Sequence, residues 1–303
     1  MKKPVFTGSA VAIVTPFLDE PKRPDTTTGG VNFEALGALI DDQINQGTDA
    51  IVICGTTGES PVLDDAEHRK CIEFAVEHVN HRVPVIAGTG SNDTAYAVSL
   101  TRHAKAAGAD GVLMVTPYYN KTTQRGLTYH YLTVADSADI PIILYNVPSR
   151  TGMCFTADTY CALSKHPNIN GVKEASGDFS LIAATKYMCG DELNIWSGND
   201  DQTVAIMAMG GLGVISTAAN VVPKVMHDLC AKFLAGDVAG ARKLQIEWYD
   251  LMHDLFIETN PIPVKTAMRL MGYPVGGLRQ PLYDMGDANL ARLKASLARH
   301  GLI

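Results

Sequence analysis

Ile169-Asn170-Gly171-Val172-Lys173 reads as a short apolar strand that ends on an amine. Runs of the same kind, rich in β-branched residues, recur upstream near Ser9 (SAVAIV), Ala50 (AIVIC), Val83 (VPVIA), Gly111 (GVLMV) and Pro141 (PIILY). Two more follow, near Leu193 (LNIWS) and Gly213 (GVIS). A continuous apolar run is the mark of a strand covered on both faces, and strands that alternate with helical periodicity imply right-handed βαβ units around a parallel sheet. Eight such units are too many for an ordinary doubly wound sheet, so the expected fold is α/β: a (β/α)8 TIM barrel.

Between the runs lie helix signals. Asn32 is placed to cap a helix over 34–45 that Gly47 ends, and Asp64 or Asp65 to open one over 66–80. After the eighth run only amphipathic helices remain, for example 241–256 with Leu244, Trp248, Leu251, Met252 and Leu255 on one side. The expected division is therefore a catalytic barrel over 1–236 and an all-helical C-terminal extension over 237–303. The polar, Pro/Thr/Gly-rich stretch 20–30 reads as a surface loop.

Composition narrows the function. The chain has 303 residues, 46% hydrophobic and 19% charged, as in an ordinary globular protein, and its net charge of −7 with no basic stripe argues against nucleic acid as a partner. No apolar run reaches a membrane span, and Pro4, Gly8 and Pro16 interrupt the apolar start, so a cytoplasmic protein is expected. Cys54, Cys71, Cys154, Cys161, Cys189 and Cys230 show no CxxC pair and read as buried thiols of a reducing compartment. His78 and His81 lack the further ligands of a metal site, so no metal is expected.

In a barrel of this type the reactive groups stand at the C-terminal ends of the strands. Those ends carry Thr56 and Thr57, Tyr118 and Tyr119, Tyr145 with Arg150 just beyond, Lys173, Gly198 and Ile215. A strand-end lysine is ordinarily one that reaches out to solvent, and a strand-end tyrosine ordinarily a packed one with a wet hydroxyl. An amine held in apolar surroundings is instead pushed toward its neutral, nucleophilic form. Lowering it from ~10.4 by roughly 3 units takes about 4 kcal/mol of environment. Convergence of these residues on one face favours chemistry over coincidence.

Gly55-Thr56-Thr57-Gly58-Glu59, Tyr145-Asn146-Val147-Pro148-Ser149-Arg150-Thr151-Gly152 and Gly171-Val172-Lys173-Glu174 resemble the motifs of the pyruvate-dependent class I aldolase superfamily. Within it the resemblance is strongest to the dihydrodipicolinate synthase family; it runs from Phe6 to Ile303 and includes Asn260-Pro261-Ile262-Pro263-Val264-Lys265. It implies a lyase that needs no cofactor, with Lys173 forming a covalent imine with pyruvate. The enamine then condenses with L-aspartate 4-semialdehyde, the first committed step of diaminopimelate and lysine biosynthesis. It also implies Tyr145 as proton shuttle, linked through Thr56 to Tyr119 of a neighbouring subunit in a homotetramer, a dimer of dimers. Thr57 would hold the pyruvate carboxylate and Arg150 that of the semialdehyde, with Gly198 and the Ile215 carbonyl beside the lysine. Glu174 should point away from the barrel interior by strand alternation. The alternative is a sugar-acid or sialic acid aldolase of the same superfamily, against which the Pro148–Gly152 string and the double threonine argue.

The family's feedback site for L-lysine is matched at Ser60, His68, Asn92 and Tyr118. Asp65 stands where a histidine is frequent, and Tyr96 where a glutamate often meets the ligand's ammonium. Loss of such a charge-assisted hydrogen bond, ~1.5–3 kcal/mol, weakens binding roughly 10- to 100-fold, so weak or absent inhibition by lysine is expected.

Overall fold

The computed structural model describes residues 2–20 and 27–303; residues 21–26 of the polar loop lie outside them. Eight parallel strands close into a barrel in sequence order. They are β1 Gly8–Ala12, β2 Ala50–Ile53, β3 Val85–Gly88, β4 Gly111–Val115, β5 Ile142–Asn146, β6 Ile169–Glu174, β7 Asn194–Ser197 and β8 Gly213–Ser216. β1 pairs with β2 on one side and β8 on the other, which completes the ring.

Strand alternation sorts the side chains into two cores. Val11, Ile51, Ile53, Val112, Leu144 and Val172 face outward into the layer shared with the helices. Ala10, Ala12, Ala50, Val52, Ile86, Leu113, Ile143 and Ile215 face inward, with Trp196 filling the interior and Phe6 stacked on it at 5.0 Å. The large indole fits because β6 carries no side chain beside it: a Cβ on Gly171 would lie 2.6 Å from the Trp196 ring. A register shift between β5 and β6 follows at Ile142/Ile143, and from there Tyr145 pairs with Lys173.

The helix signals are realised closely. Asn32 caps helix Phe33–Asn45 by accepting from the Ala35 amide, and Gly47 takes a left-handed turn just beyond it. Asp64, rather than Asp65, opens helix Asp65–Val79, in a reciprocal capping box with Glu67. The expected helix over 241–256 is divided in two, Val238–Glu247 and Tyr249–Asp254, at Trp248, whose ring stacks on His300 at 4.1 Å. Leu251, Met252 and Leu255 are nevertheless buried on one side, in the same outer core as the barrel helices. The C-terminal helices thus pack on the barrel and bring residues 256–260 over its C-terminal mouth.

The polar loop is pinned at its base, where Phe17 bridges Val31 and the Leu18 amide donates to Gly30. No helix among the described residues is long and apolar enough to cross a membrane. All six cysteines are free thiols, but the expectation that all are buried fails at Cys154, which is exposed just past the short helix Pro148–Thr151, and at Cys161, which is only half-buried.

Candidate active site

A cavity of about 480 Å³ opens at the C-terminal mouth of the barrel, and Lys173, Tyr145, Thr56, Thr57, Arg150 and Gly198 all line it. Six of the expected site residues therefore meet around one space. Lys173 is 5% exposed, with its Nζ 4.5 Å from the centre of the Tyr145 ring. Burial lowers its pKa to about 8, opposed by the negative charge of Asp200 and reinforced by Arg150. The free amine is thereby brought within reach near neutral pH. Gly198 leaves room for the lysine stem, since a Cβ there would approach Lys173 Cγ to 3.1 Å and Ala175 Cβ to 2.7 Å.

Burial raises the Tyr145 phenol above its ordinary value, while Arg150 and the Thr56 hydroxyl pull it down. The threonines sit on the turn that ends β2, where the Gly58 amide donates to Gly55 O and the Glu59 amide to Thr56 O. Glu59 adopts a left-handed φ of +55°. Its two carboxylate oxygens accept from Lys265 Nζ at 2.8 Å and from the Arg279 amide at 3.0 Å. The double-threonine turn is thus anchored to the C-terminal helix Ile262–Leu270 by a fully buried ion pair. Both partners of that anchor lie in motifs quoted from the sequence, but their pairing was not legible there.

Glu174 turns outward as strand alternation requires, where its carboxylate accepts from Asn146, Tyr160 and the Ser176 amide. The carboxylate that acts on the lysine is instead Asp200, buried just past β7. It also accepts from the amides of Thr217 and Ala218 after β8. Sequence reasoning missed Asp200; its signal was an acidic pair, Asp200-Asp201, just after the end of a strand. Asn260 was missed as well. It lines the cavity, donates to Thr57 Oγ1 at 2.9 Å and accepts from Arg150 Nη2 at 3.1 Å through its backbone carbonyl.

Two expected residues lie off the cavity wall. Ile215 is wholly buried in the inner core, beside Ala10. Tyr119 is 93% exposed on a left-handed backbone (φ +67°) and does not line the cavity of its own chain. A second cavity, about 350 Å³, is lined by Ser60, His68, Tyr96 and Tyr118, and shares Thr56 and Arg150 with the first. Asn92 braces it from outside by donating to the Tyr118 carbonyl. The two departures from the lysine-binding pattern touch each other there, Tyr96 Oη donating to Asp65 at 3.0 Å.

Comparison with known proteins agrees over the whole chain. A model of the Dihydrodipicolinate synthetase family matches residues 5–300. A 4-hydroxy-tetrahydrodipicolinate synthase of Thermoanaerobacter sp. (strain X514) is 54% identical over 99% of this chain and 98% of its own. The crystal structure of a dihydrodipicolinate synthase from Acinetobacter baumannii complexed with pyruvate superposes with a TM-score of 0.93 at 42% identity, covering 98% of this chain and 99% of that one. A monomeric dihydrodipicolinate synthase variant also superposes at 0.93, with 38% identity over 99% of this chain and 98% of that one.

Proposed function

The chain belongs to the dihydrodipicolinate synthetase family, and from that premise we propose how its residues carry the family's lyase reaction, the condensation of pyruvate with L-aspartate 4-semialdehyde to 4-hydroxy-tetrahydrodipicolinate. Neutral Lys173 attacks C2 of pyruvate; water leaves, and a protonated imine forms. The imine acidifies the methyl group, and loss of a methyl proton gives an enamine. Its carbon attacks the aldehyde, making the new C–C bond as the carbonyl oxygen takes up a proton. The amino group of the semialdehyde then attacks the imine carbon, closes the six-membered ring and expels Lys173. No cofactor is needed, because the imine itself is the electron sink.

Tyr145 moves the protons. Burial keeps its phenol protonated, so it needs a partner to accept and return a proton. Thr56 provides that link, and Tyr119 of a neighbouring subunit completes it in a homotetramer; its full exposure on a single chain supports this reading. Arg150 suits the carboxylate of the second substrate because its planar fork pairs such a group bidentately, and Thr57 suits that of pyruvate. Gly198 closes the pocket beside the imine.

The observation that carries the proposal is an amine buried at a pKa of about 8 on the wall of a cavity that also presents an arginine. The test offers pyruvate with aspartate semialdehyde and, in parallel, with keto-sugar acids. Turnover of the semialdehyde alone is expected; preferential cleavage of a sugar acid would overturn the reading.

A further inference from the structure

Asp200 is the acidic side chain that acts on Lys173, and the fold holds it rigidly out of water. The Gly198 amide donates to Glu174 O at 2.7 Å and locks the end of β7 to the end of β6, where a Cβ on Gly198 would meet the lysine stem. Just beyond, the Asp200 carbonyl accepts from Thr203 Oγ1 at 2.9 Å and from Gln245 Nε2 at 3.0 Å. Its Oδ2 takes the amides of Thr217 and Ala218 at 3.2 and 2.9 Å, so the carboxylate stands behind Thr217, a residue of the cavity wall. The residue is 1% exposed.

Burial pushes the Asp200 acid up, and the Ser216 hydroxyl, the two amides and the charge of Lys173 pull it back down. Hydroxyl and amides are neutral dipoles; the cation that acts on the carboxylate is Lys173. β5 brings the Tyr145 phenol to the lysine, and the helix after it brings Arg150, whose charge opposes the ammonium. Helix Pro223–Leu234 brings Cys230 to Asp200, where burial, Asp49 and Asp200 together keep the thiol protonated. A buried charge without a partner of opposite sign is costly. When Lys173 gives up its proton, Asp200 loses that partner. Imine formation restores it, since the neutral amine, the ketone and one proton give the protonated imine and water.

We propose that Asp200 is a positioning residue for the imine: its fixed negative charge, acting through Lys173, keeps the imine nitrogen protonated and so keeps it an electron sink for the methyl group of pyruvate. This rests on the proposed function, in which Lys173 forms that imine. A neutral imine withdraws electrons far less than a protonated one, so loss of that proton would stop the enamine from forming. The carboxylate thus acts on two steps with opposite sign. It holds the proton on the free amine and slows attack on the ketone; it holds the proton on the imine and speeds loss of the methyl proton. A charge fixed in this way needs no reorientation during the reaction.

Two assays read the two steps: borohydride trapping of pyruvate across pH, and exchange of the pyruvate methyl protons with deuterated water, followed by NMR without the second substrate. In Asp200→Asn the trapping limb, expected near 8 in wild type, should move down by ~1 unit or more. Methyl exchange at about pH 8 should fall ~10-fold or more, the same loss of one close opposite charge read on the imine. Asp201→Asn, which removes the exposed acid next in the chain, is the control; a charge in water is screened, and both readouts should stay within about 2-fold of wild type. A purely structural role for Asp200 would lower trapping and exchange together at every pH. That result, an unmoved limb or unchanged exchange overturns the inference. If wild type traps no pyruvate on Lys173, the proposed function itself fails; if it traps and exchanges but the two readouts do not part in Asp200→Asn, only this inference fails. Should Asp200→Asn not fold, Asp200→Ser is read in the same assays with the same criteria.

Discussion

Lys173 and Tyr145 are register partners on adjacent strands, and the lysine Nζ lies 4.5 Å from the centre of the tyrosine ring. The ring face favours a cation, which works against burial and keeps the amine from losing its proton too readily. The hydroxyl does something different, so the two roles separate in Tyr145→Phe. That variant is expected to trap pyruvate on Lys173 as wild type does, while kcat falls ~10²- to 10⁴-fold, the usual worth of general acid–base catalysis. Steady-state rates beside a trapping assay measure both; a kcat within a factor of about two of wild type would remove Tyr145 from the proton path.

The lowered lysine pKa gives a pH dependence of defined sign. Lys173 titrates near 8 in the native protein against an ordinary value of 10.5. Imine formation should therefore rise with pH and level off above about 8. Between about 8 and 10.5 the unfolded chain holds a proton the native protein has released, so this group's contribution to stability increases across that window. Lys173→Met removes the buried ammonium altogether. It should abolish turnover and yet stabilise the protein at pH 7 by roughly 1–3 kcal/mol, a gain that shrinks as pH approaches 10.5. Thermal unfolding of both proteins at neutral and alkaline pH checks the sign.

Glu59 and Lys265 form an ion pair at 2.8 Å with neither side chain exposed. Lys265 also sits 4.4 Å from the centre of the Phe17 ring, whose centre Arg279 approaches to 4.1 Å. Removing one partner strands the other charge, so Lys265→Met is expected to cost ~3–5 kcal/mol. Because Glu59 ends the turn that carries Thr56 and Thr57, the loss should also raise the KM for pyruvate. Denaturant titration and kinetics on one preparation would reveal both effects; a stable variant with unchanged KM contradicts the anchoring role.

Tyr96 on the wall of the second cavity donates to Asp65 behind it, where an ammonium ligand would want a free carboxylate. Arg69 also engages Asp65, at 2.8 Å. Calorimetry should show weak or no binding of L-lysine to wild type, and Tyr96→Glu should strengthen it ~10- to 100-fold. Low-micromolar binding by the unaltered protein would refute this.

The barrel was legible because strands covered on both faces are written as apolar runs, and eight of them sit at regular intervals. Lys173, Tyr145, Arg150 and the double threonine were legible for a related reason. A polar side chain that ends such a run faces either solvent or a cavity, and several gathered at the same end of one barrel point to a cavity. Asp200 and Asn260 were not legible. Their significance lies in contacts with residues far along the chain, Asp200 with the backbone after β8 and Asn260 with Thr57 and Arg150. Local periodicity carries no trace of such pairs. The break at Trp248 escaped in the same way, since its stacking partner His300 lies just past the last helix.

The central claim is that Lys173 bonds covalently to pyruvate. Incubation with pyruvate, reduction by borohydride and peptide mass mapping tests it most directly. A single reduced adduct is expected on the peptide containing Lys173, absent without pyruvate and absent in Lys173→Met. An adduct on another lysine, Lys265 included, or none at all, would contradict it.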